Sequence, residues 1–386
     1  MDNLTSDDFE TFWSACIEEH LAKQHWEKKY IAVDTLSYAF ARAKEIHLSL
    51  FLQGETVRCI RNGLSEYKHP AREFLAKISQ QFCLSVKQLL ESNVDDEKYQ
   101  KMILISMFKF FPRTKGVCRA VLKSISRPVM QWFLDWWIDF WVSGADSKFD
   151  MKLGESVQAR RWLLQILSAS LDVRGREETP QESIWIKPLR ILIVTSLFVA
   201  PEKVSKKCKV AEVKRLPDLQ EAEEINFNDV QNAIQNVINK DSTEYLAIAF
   251  DFARECSNQK GVKLRTPFDE VPQDVWNRLC DDATLTTAKN HKYSSIVIPL
   301  LHQCGFNMLS DGSANAEALN DIINLVENDE LGDDWLPALV ELMISFFVND
   351  NRKIRALVLS CFRQINTKLT RKSIQVCSRV VNQDDV

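Results

Sequence analysis

Residues 335–381 read WLPALVELMISFFVNDNRKIRALVLSCFRQINTKLTRKSIQVCSRVV, and the spacing of their apolar side chains decides the fold class. Leu336, Leu339, Val340, Met343 and Phe347 recur at steps of three and four, which puts them on one face of a helix. Ile354, Leu357, Val358, Cys361 and Ile365 form a second stripe, and Ile374, Cys377 and Val381 a third. Each helix is too small to bury its own stripe. Short helices with short polar connections solve that problem by stacking, as HEAT- and armadillo-like arrays do. The expectation is an all-α chain, an irregular α-solenoid whose repeats are too degenerate to show a sequence period.

Outward from this stretch the same pattern repeats. Near the start, Ser6 or Asp7 can cap a helix carrying Phe9, Phe12, Trp13, Cys16 and Ile17. Further helices are expected over 26–44, from Pro70 through Leu89, and near 96–111, 117–125, 128–143, 155–171 and 184–199. After residue 226, Phe227, Val230, Ile234 and Val237 mark another, followed by stretches near 242–257, 272–281, 291–304 and 314–327. None shows sustained strand alternation.

Two segments stand out. MQWFLDWWIDFWV (130–142) holds four tryptophans, which suggests a ligand cage or a base-stacking platform. Its spacing favours packed core: Gln131, Asp135 and Asp139 make one narrow polar stripe, and Trp132, Phe133, Trp136, Trp137, Phe140 and Trp141 occupy the rest. The second segment, PEKVSKKCKVAEVKRLP (201–217), has a proline at each end and six basic residues. It reads as a solvated linker between helical blocks, with contact to phosphates or a weak nuclear-import signal as the functional alternative. The organisation expected is therefore a helical-repeat block over 1–200, a basic linker loop over 201–218, and a second block over 219–386 that continues the solenoid.

Composition agrees with helices and excludes several classes. An apolar share of 45% and a charged share of 26% are those of a globular chain. Only 10 glycines in 386 residues leave few Gly-dependent turns or phosphate loops. A net charge of −4 gives no global attraction to nucleic acid, so any such contact needs a local basic patch. The 10 cysteines are scattered singly without a CxxC pair, and MDNLTSDDFE is no signal peptide, so a reducing compartment and buried, inert thiols are expected. The most apolar run, Val129 to Val142, is too short to span a bilayer and carries Asp135 and Asp139.

Catalytic signatures are missing. There is no GxxxxGK[ST], GxGxxG, GxSxG or HExxH, and His20, His25 and His302 with Cys304 lack metal-ligand spacing. Gly332-Asp333-Asp334 superficially resembles a two-metal polymerase motif. Its position directly before Trp335 instead suits a helix N-cap, and Asp95-Asp96 and Asp281-Asp282 likewise fall at expected helix ends. No cofactor, metal or small-molecule substrate is expected.

Three stretches, in order, carry a resemblance. They are FETFWSACIEEHLAKQHWEKKYIAVDTLSYAF with LSLFLQGETVRCI, then VCRAVLKSISRPVMQWFLDWW with VQARRWLLQILSASLD, then DDWLPALVELMISFF through LTRKSIQVCSRVVN. Together they resemble the central region of the Myb-binding protein 1A and yeast DNA polymerase V (DNA polymerase phi) family over nearly the whole chain. The resemblance implies a non-enzymatic, nucleolar and nuclear helical-repeat scaffold. Such a scaffold associates with transcription factors and with chromatin or ribosome-assembly proteins at ribosomal DNA, and it supports transcription regulation and ribosome biogenesis. Family members are longer, with an amino-terminal helical block, an acidic stretch and a lysine-rich tail, so a fragment is the expectation. The family's LxxLL-type coregulator motif is not present in strict form, since Val86–Leu90 and Val297–Leu301 carry valine first and are expected to face the core.

The residues expected to meet an acidic partner, or DNA, are Lys203, Lys206, Lys207, Lys209, Lys214 and Arg215 of the basic loop, with Arg352, Lys353, Arg355 and Arg371 near the last helices. The rival readings are a cytosolic helical-repeat adaptor or transport scaffold, and a metal-dependent DNA polymerase-like enzyme using Asp333 and Asp334.

Overall fold

Apolar side chains every three or four residues, with little glycine between them, leave the backbone one economical way to satisfy its hydrogen bonds while burying that surface. The computed structural model accordingly is mostly helical. It describes residues 6–22, 35–36, 38–39, 54–63, 72–107, 115–143, 145–146, 151–152, 163–167, 169–170, 183–199, 234, 243–259, 262–310, 316–348 and 352–383. The chain divides into two compact units, Met1–Glu178 with Glu223–Asn226, and Thr179–Ala222 with Phe227–Val386. The basic linker expected over 201–218 lies outside the described residues, as do most of the helices expected over 26–44 and 155–171.

In the first unit, α1 (Ser6–Phe12) runs through a π-helical turn (Trp13–Glu18) into α2 (Glu19–Ala22). Phe9, Trp13, Ile17 and Leu21 are buried, whereas Cys16, expected on the apolar face, is exposed. The wider π turn explains the difference, because one extra residue per turn rotates Cys16 outward. The same turn presents Glu18 to α3 (Gly54–Gly63), where its carboxylate accepts hydrogen bonds from the Glu55 and Thr56 amides and the Thr56 hydroxyl. A carboxylate there satisfies orphan donors and complements the helix dipole.

Next come α4 (Arg72–Ser92), α5 (Glu97–Met107), α6 (Lys115–Lys123) and α7 (Arg127–Ser143). Helix α4 touches α3, α5 and α6, and α5 touches α7. Asp96 accepts from the Tyr99 amide at 2.9 Å and so caps α5. The buried Gln100 amide ties the α4–α5 turn to the start of α7, donating to Asn93 O and Val94 O and accepting from the Ser126 amide at 2.8 Å.

The tryptophan-rich segment is core, as its spacing indicates. Trp137 and Trp141 stack at 5.3 Å, Phe133 and Phe140 pack around Trp136, and the Trp137 indole donates to Leu163 O at 2.9 Å. Trp132 is the exception: it is half-buried, with the Lys101 ammonium 5.9 Å from its ring. After α7, β1 (Ala145–Asp146) and β2 (Met151–Lys152) make one antiparallel clip. Strands of two residues add no sheet layer to the unit.

The second unit holds α8 (Ile186–Leu197), β3 (Phe198–Val199), α9 (Thr243–Ser257), β4 (Lys263–Leu264), α10 (Glu270–Cys280), α11 (Asp282–Asn290), α12 (Ser294–Ser310), α13 (Ala316–Glu327), α14 (Trp335–Ser345), α15 (Arg352–Ile365) and α16 (Arg371–Gln383). Helix α11 has no counterpart in the sequence reading. Its DATLTTAKN carries three threonines and few apolar residues, too little for a periodic signal, and Asp281 caps it by accepting from the Ala283 amide at 3.0 Å.

Helix α12 is the centre of this unit, touching α8, α9, α10, α11, α13 and α15. Gly305 makes that possible: a Cβ there would stand 2.6 Å from a Leu279 methyl and 2.8 Å from the Phe250 ring. Val86, Leu89, Leu90, Val297, Leu300 and Leu301 are all buried, so neither valine-led LxxLL-like segment offers its apolar face to a partner.

The C-terminal stripes are largely core. Leu336, Leu339, Val340, Met343, Ile354, Val358, Cys361 and Ile365 are buried. The third stripe is not as expected, since α16 buries Ser373 while Ile374 is exposed. Helix α16 packs against α14 with Ser373 buried, and Ile374 faces outward. Among the described residues no helix is long and apolar enough to cross a membrane.

Candidate functional site

Three helix starts in the second unit border one cleft. The first is the turn His291-Lys292-Tyr293 before α12, which bends because Asn290 ends α11 and the Tyr293 amide donates to His291 Nδ1 at 3.2 Å. The second is a 3₁₀ turn, Asp329–Asp334, leading into α14. Gly332 has φ 48° in that turn, a conformation that side-chain-bearing residues rarely adopt, and the space beside it is open. The third is Thr370-Arg371-Lys372 at the start of α16, where Thr370 caps the helix by accepting from the Ser373 amide at 3.2 Å. The cleft holds about 570 Å³ and is lined by these turns together with Asn328 and Leu336. That volume is in the range of built ligand sites.

One wall is aromatic. Trp335 stacks on Tyr293 at 5.1 Å with planes 6° apart, and the His291 ring lies tilted by 35° against it at 4.0 Å. The Trp335 indole is anchored by donating to Leu325 O at 2.8 Å. Tyr293 is 8% and Trp335 5% exposed, so the rings present edges rather than free faces.

The rest of the lining is mainly cationic. The Lys292 ammonium lies 5.4 Å from the Tyr293 ring centroid, and Lys368, outside the lining itself, brings its ammonium to 5.7 Å from the same ring. Arg371 is exposed and has no hydrogen bond or ion pair among the described residues. Lys372 pairs with Asp334, and that hydrogen bond, followed by the attraction of the two charges, raises its ammonium pKa. Asp334 stands at the N-cap of α14, as its position before Trp335 suggested, yet its side chain caps nothing and reaches Lys372 instead.

A second, shallower groove of about 420 Å³ runs beside Asp321, Asn324, Ala338, Glu341 and Ser345. It has the opposite charge, with carboxylates and no cation in its lining. Elsewhere Arg278 bridges α10 to α13 through Asn320, Asn324 and Glu327, while Thr284 donates to the same Glu327, an internal tie. Among the described residues no three His, Cys, Asp or Glu side chains gather in a geometry that could hold a metal ion.

Of the residues named from sequence, Arg371 lies in the cleft. Arg355 is half-buried on α15 outside it, and Arg352 and Lys353 occupy the first turn of α15. Lys203, Lys206, Lys207, Lys209, Lys214 and Arg215 lie outside the described residues. Sequence reading missed His291, Lys292, Tyr293, Trp335, Lys368 and Lys372 as one group. The signal that could have found them is that aromatic and basic residues cluster where an expected helix begins, in HKY before α12 and TRK before α16.

Comparison with known proteins places the chain. Human Myb-binding protein 1A is 21% identical over 432 residues, a match that covers 99% of this chain and 32% of the relative. The chain thus spans about a third of the length of that relative. No solved structure matches. A family model described as DNA polymerase phi matches residues 1–386, from the helix pair at the start through the cleft and α16. The chain therefore belongs to the DNA polymerase phi family.

Proposed function

We propose that this chain is a non-enzymatic scaffold of the nucleus and nucleolus that supports ribosomal DNA transcription and ribosome biogenesis by holding transcription factors and chromatin or ribosome-assembly proteins. Family membership over the full chain is the observation that carries the reading, together with a relative whose name describes Myb binding.

The helices of the second unit support it physically. Helix α9 touches α12, α10 touches α13, and α12 touches α15, so three of the contacts join helices three apart, alongside contacts between nearer helices such as α14 and α16. Stacked three-helix repeats produce that pattern, and arrays of this kind bind partners along an extended face. The solenoid is therefore part of the proposal. Asp333 and Asp334, the one polymerase-like pair, sit at the mouth of a cationic cleft with Asp334 neutralised by Lys372, a poor arrangement for collecting Mg²⁺.

The test is localisation of a tagged chain combined with affinity purification. Nucleolar signal and co-purification of transcription or ribosome-assembly proteins are expected. A purely cytosolic distribution with transport factors as partners would favour the adaptor reading. Mg²⁺-dependent nucleotide incorporation lost in an Asp333→Ala, Asp334→Ala variant would replace the scaffold with an enzyme.

A further inference from the structure

We propose that the cleft formed by His291-Lys292-Tyr293, Asp333-Trp335 and Thr370-Lys372 docks an acidic segment of a partner protein. The inference deepens the scaffold reading and rests on it, because its ligand is a protein. It starts from an electrostatic conflict. Helix N-termini favour anions, each carrying roughly half a positive charge. Helix α16 nevertheless begins with Arg371 and Lys372, and Lys292 stands two residues before α12. Asp334 offsets Lys372. Among the described residues Arg371 has no such counter-ion and Lys292 meets only the Tyr293 ring. A carboxylate entering the cleft would relieve the like-charge crowding and meet a guanidinium suited to two parallel hydrogen bonds.

Two features favour a peptide over a nucleic acid. The rings of Tyr293 and Trp335 are stacked on one another and nearly covered, which leaves no face for a base. Asp333 lines the same cleft. A DNA backbone has no donor for that carboxylate and its phosphates are repelled by it, whereas a peptide's backbone N–H can donate to it. Leu336 and the ring edges then provide an apolar floor for one side chain beside the acidic residues.

Fluorescence anisotropy on the whole purified chain tests this, using a short labelled peptide of Asp and Glu around one leucine. The controls are the same peptide with Asn and Gln, and a single-stranded thymidine oligonucleotide. The acidic peptide alone should bind, with affinity falling as salt rises. A Lys292→Glu, Arg371→Glu variant should weaken it about tenfold or more, while Glu341→Gln in the neighbouring groove should leave it unchanged. Both altered side chains are solvent-facing, so an unchanged circular dichroism spectrum identifies a folded variant, and Arg371→Gln alone gives a milder second reading. Equal binding of the amide peptide, binding unaffected by the double variant, or preference for the oligonucleotide would each overturn the proposal. The assay contains no cellular component. Its failure would leave the scaffold reading to the localisation experiment, and failure of that experiment would remove the scaffold role while leaving the measured peptide binding as a separate result.

Discussion

Replacing Trp137 by phenylalanine separates the two readings of the tryptophan-rich helix α7. Trp137 is 0% exposed, stacks on Trp141 at 5.3 Å and donates to Leu163 O at 2.9 Å. Phenylalanine cannot donate, which removes a net contribution of about 1 kcal/mol. The smaller ring leaves roughly 40 Å³ unfilled, which at about 24 cal/mol per Å³ costs about 1 kcal/mol more. Lost transfer energy and weaker ring stacking add about another 1 kcal/mol. The expected loss is therefore about 3 kcal/mol, a large share of the 5–15 kcal/mol typical of a domain. Trp132→Phe is the matched control: half-buried and touched by Lys101, it should cost under about 1 kcal/mol. Urea unfolding followed by circular dichroism compares the two midpoints. Equal midpoints, or Trp132→Phe as the more damaging change, would refute the core assignment and favour an exposed aromatic platform.

Three further outcomes follow from the second unit and the thiols. Gly305→Ala should destabilise by about 1–2 kcal/mol, because overpacking against Leu279 and Phe250 outweighs the roughly 1 kcal/mol gained from helix propensity; a raised melting temperature would contradict the close approach of α9 and α10 to α12. His302 lies buried against Phe250, and burial first, then the positive charges of Lys289 and Arg254, lowers its pKa from 6.5 to about 4. Only the unfolded chain takes up that proton between these values, so stability should fall as pH drops from about 6.5 toward 4, by roughly 3 kcal/mol in all. A His302→Leu variant should lose that component of the pH profile, and an unchanged acid slope would show that the histidine is not buried neutral. Iodoacetamide labelling should modify Cys16 quickly while sparing Cys304 and Cys361, whose thiols burial pushes up to about 12; prompt alkylation of Cys304 in the native chain would count against the packing of α12.

The periodicity of single helices was legible from residues alone, because a 3.6-residue turn and the burial of apolar area constrain each segment locally. That is why the stripes from Leu336 to Met343 and from Ile354 to Ile365 are core, and why the narrow polar stripe of α7 correctly placed Trp137 and Trp141 inside. It is also why the valine-led segments at Val86 and Val297 face inward. Local reasoning failed where a neighbour or a change of helix type intervened. The π turn moved Cys16 to the surface, the seat of α16 on α14 exposed Ile374, and Asp334 left its capping role for Lys372, 38 positions away in sequence. Helix α11 was invisible because its apolar content is too low to set a period.

The cleft, Arg371 apart, belongs to that second category. Arg371 was named from sequence as a partner contact, but Lys292 and Trp335 share no motif or spacing with it, and each read alone is an ordinary residue at a helix start. Sequence by itself determined that the chain would be helical and held together by buried stripes, since those follow from short-range geometry. Only tertiary structure could bring three helix beginnings to one place and leave their cations facing a common space, because long-range packing, not local propensity, sets which helix ends meet.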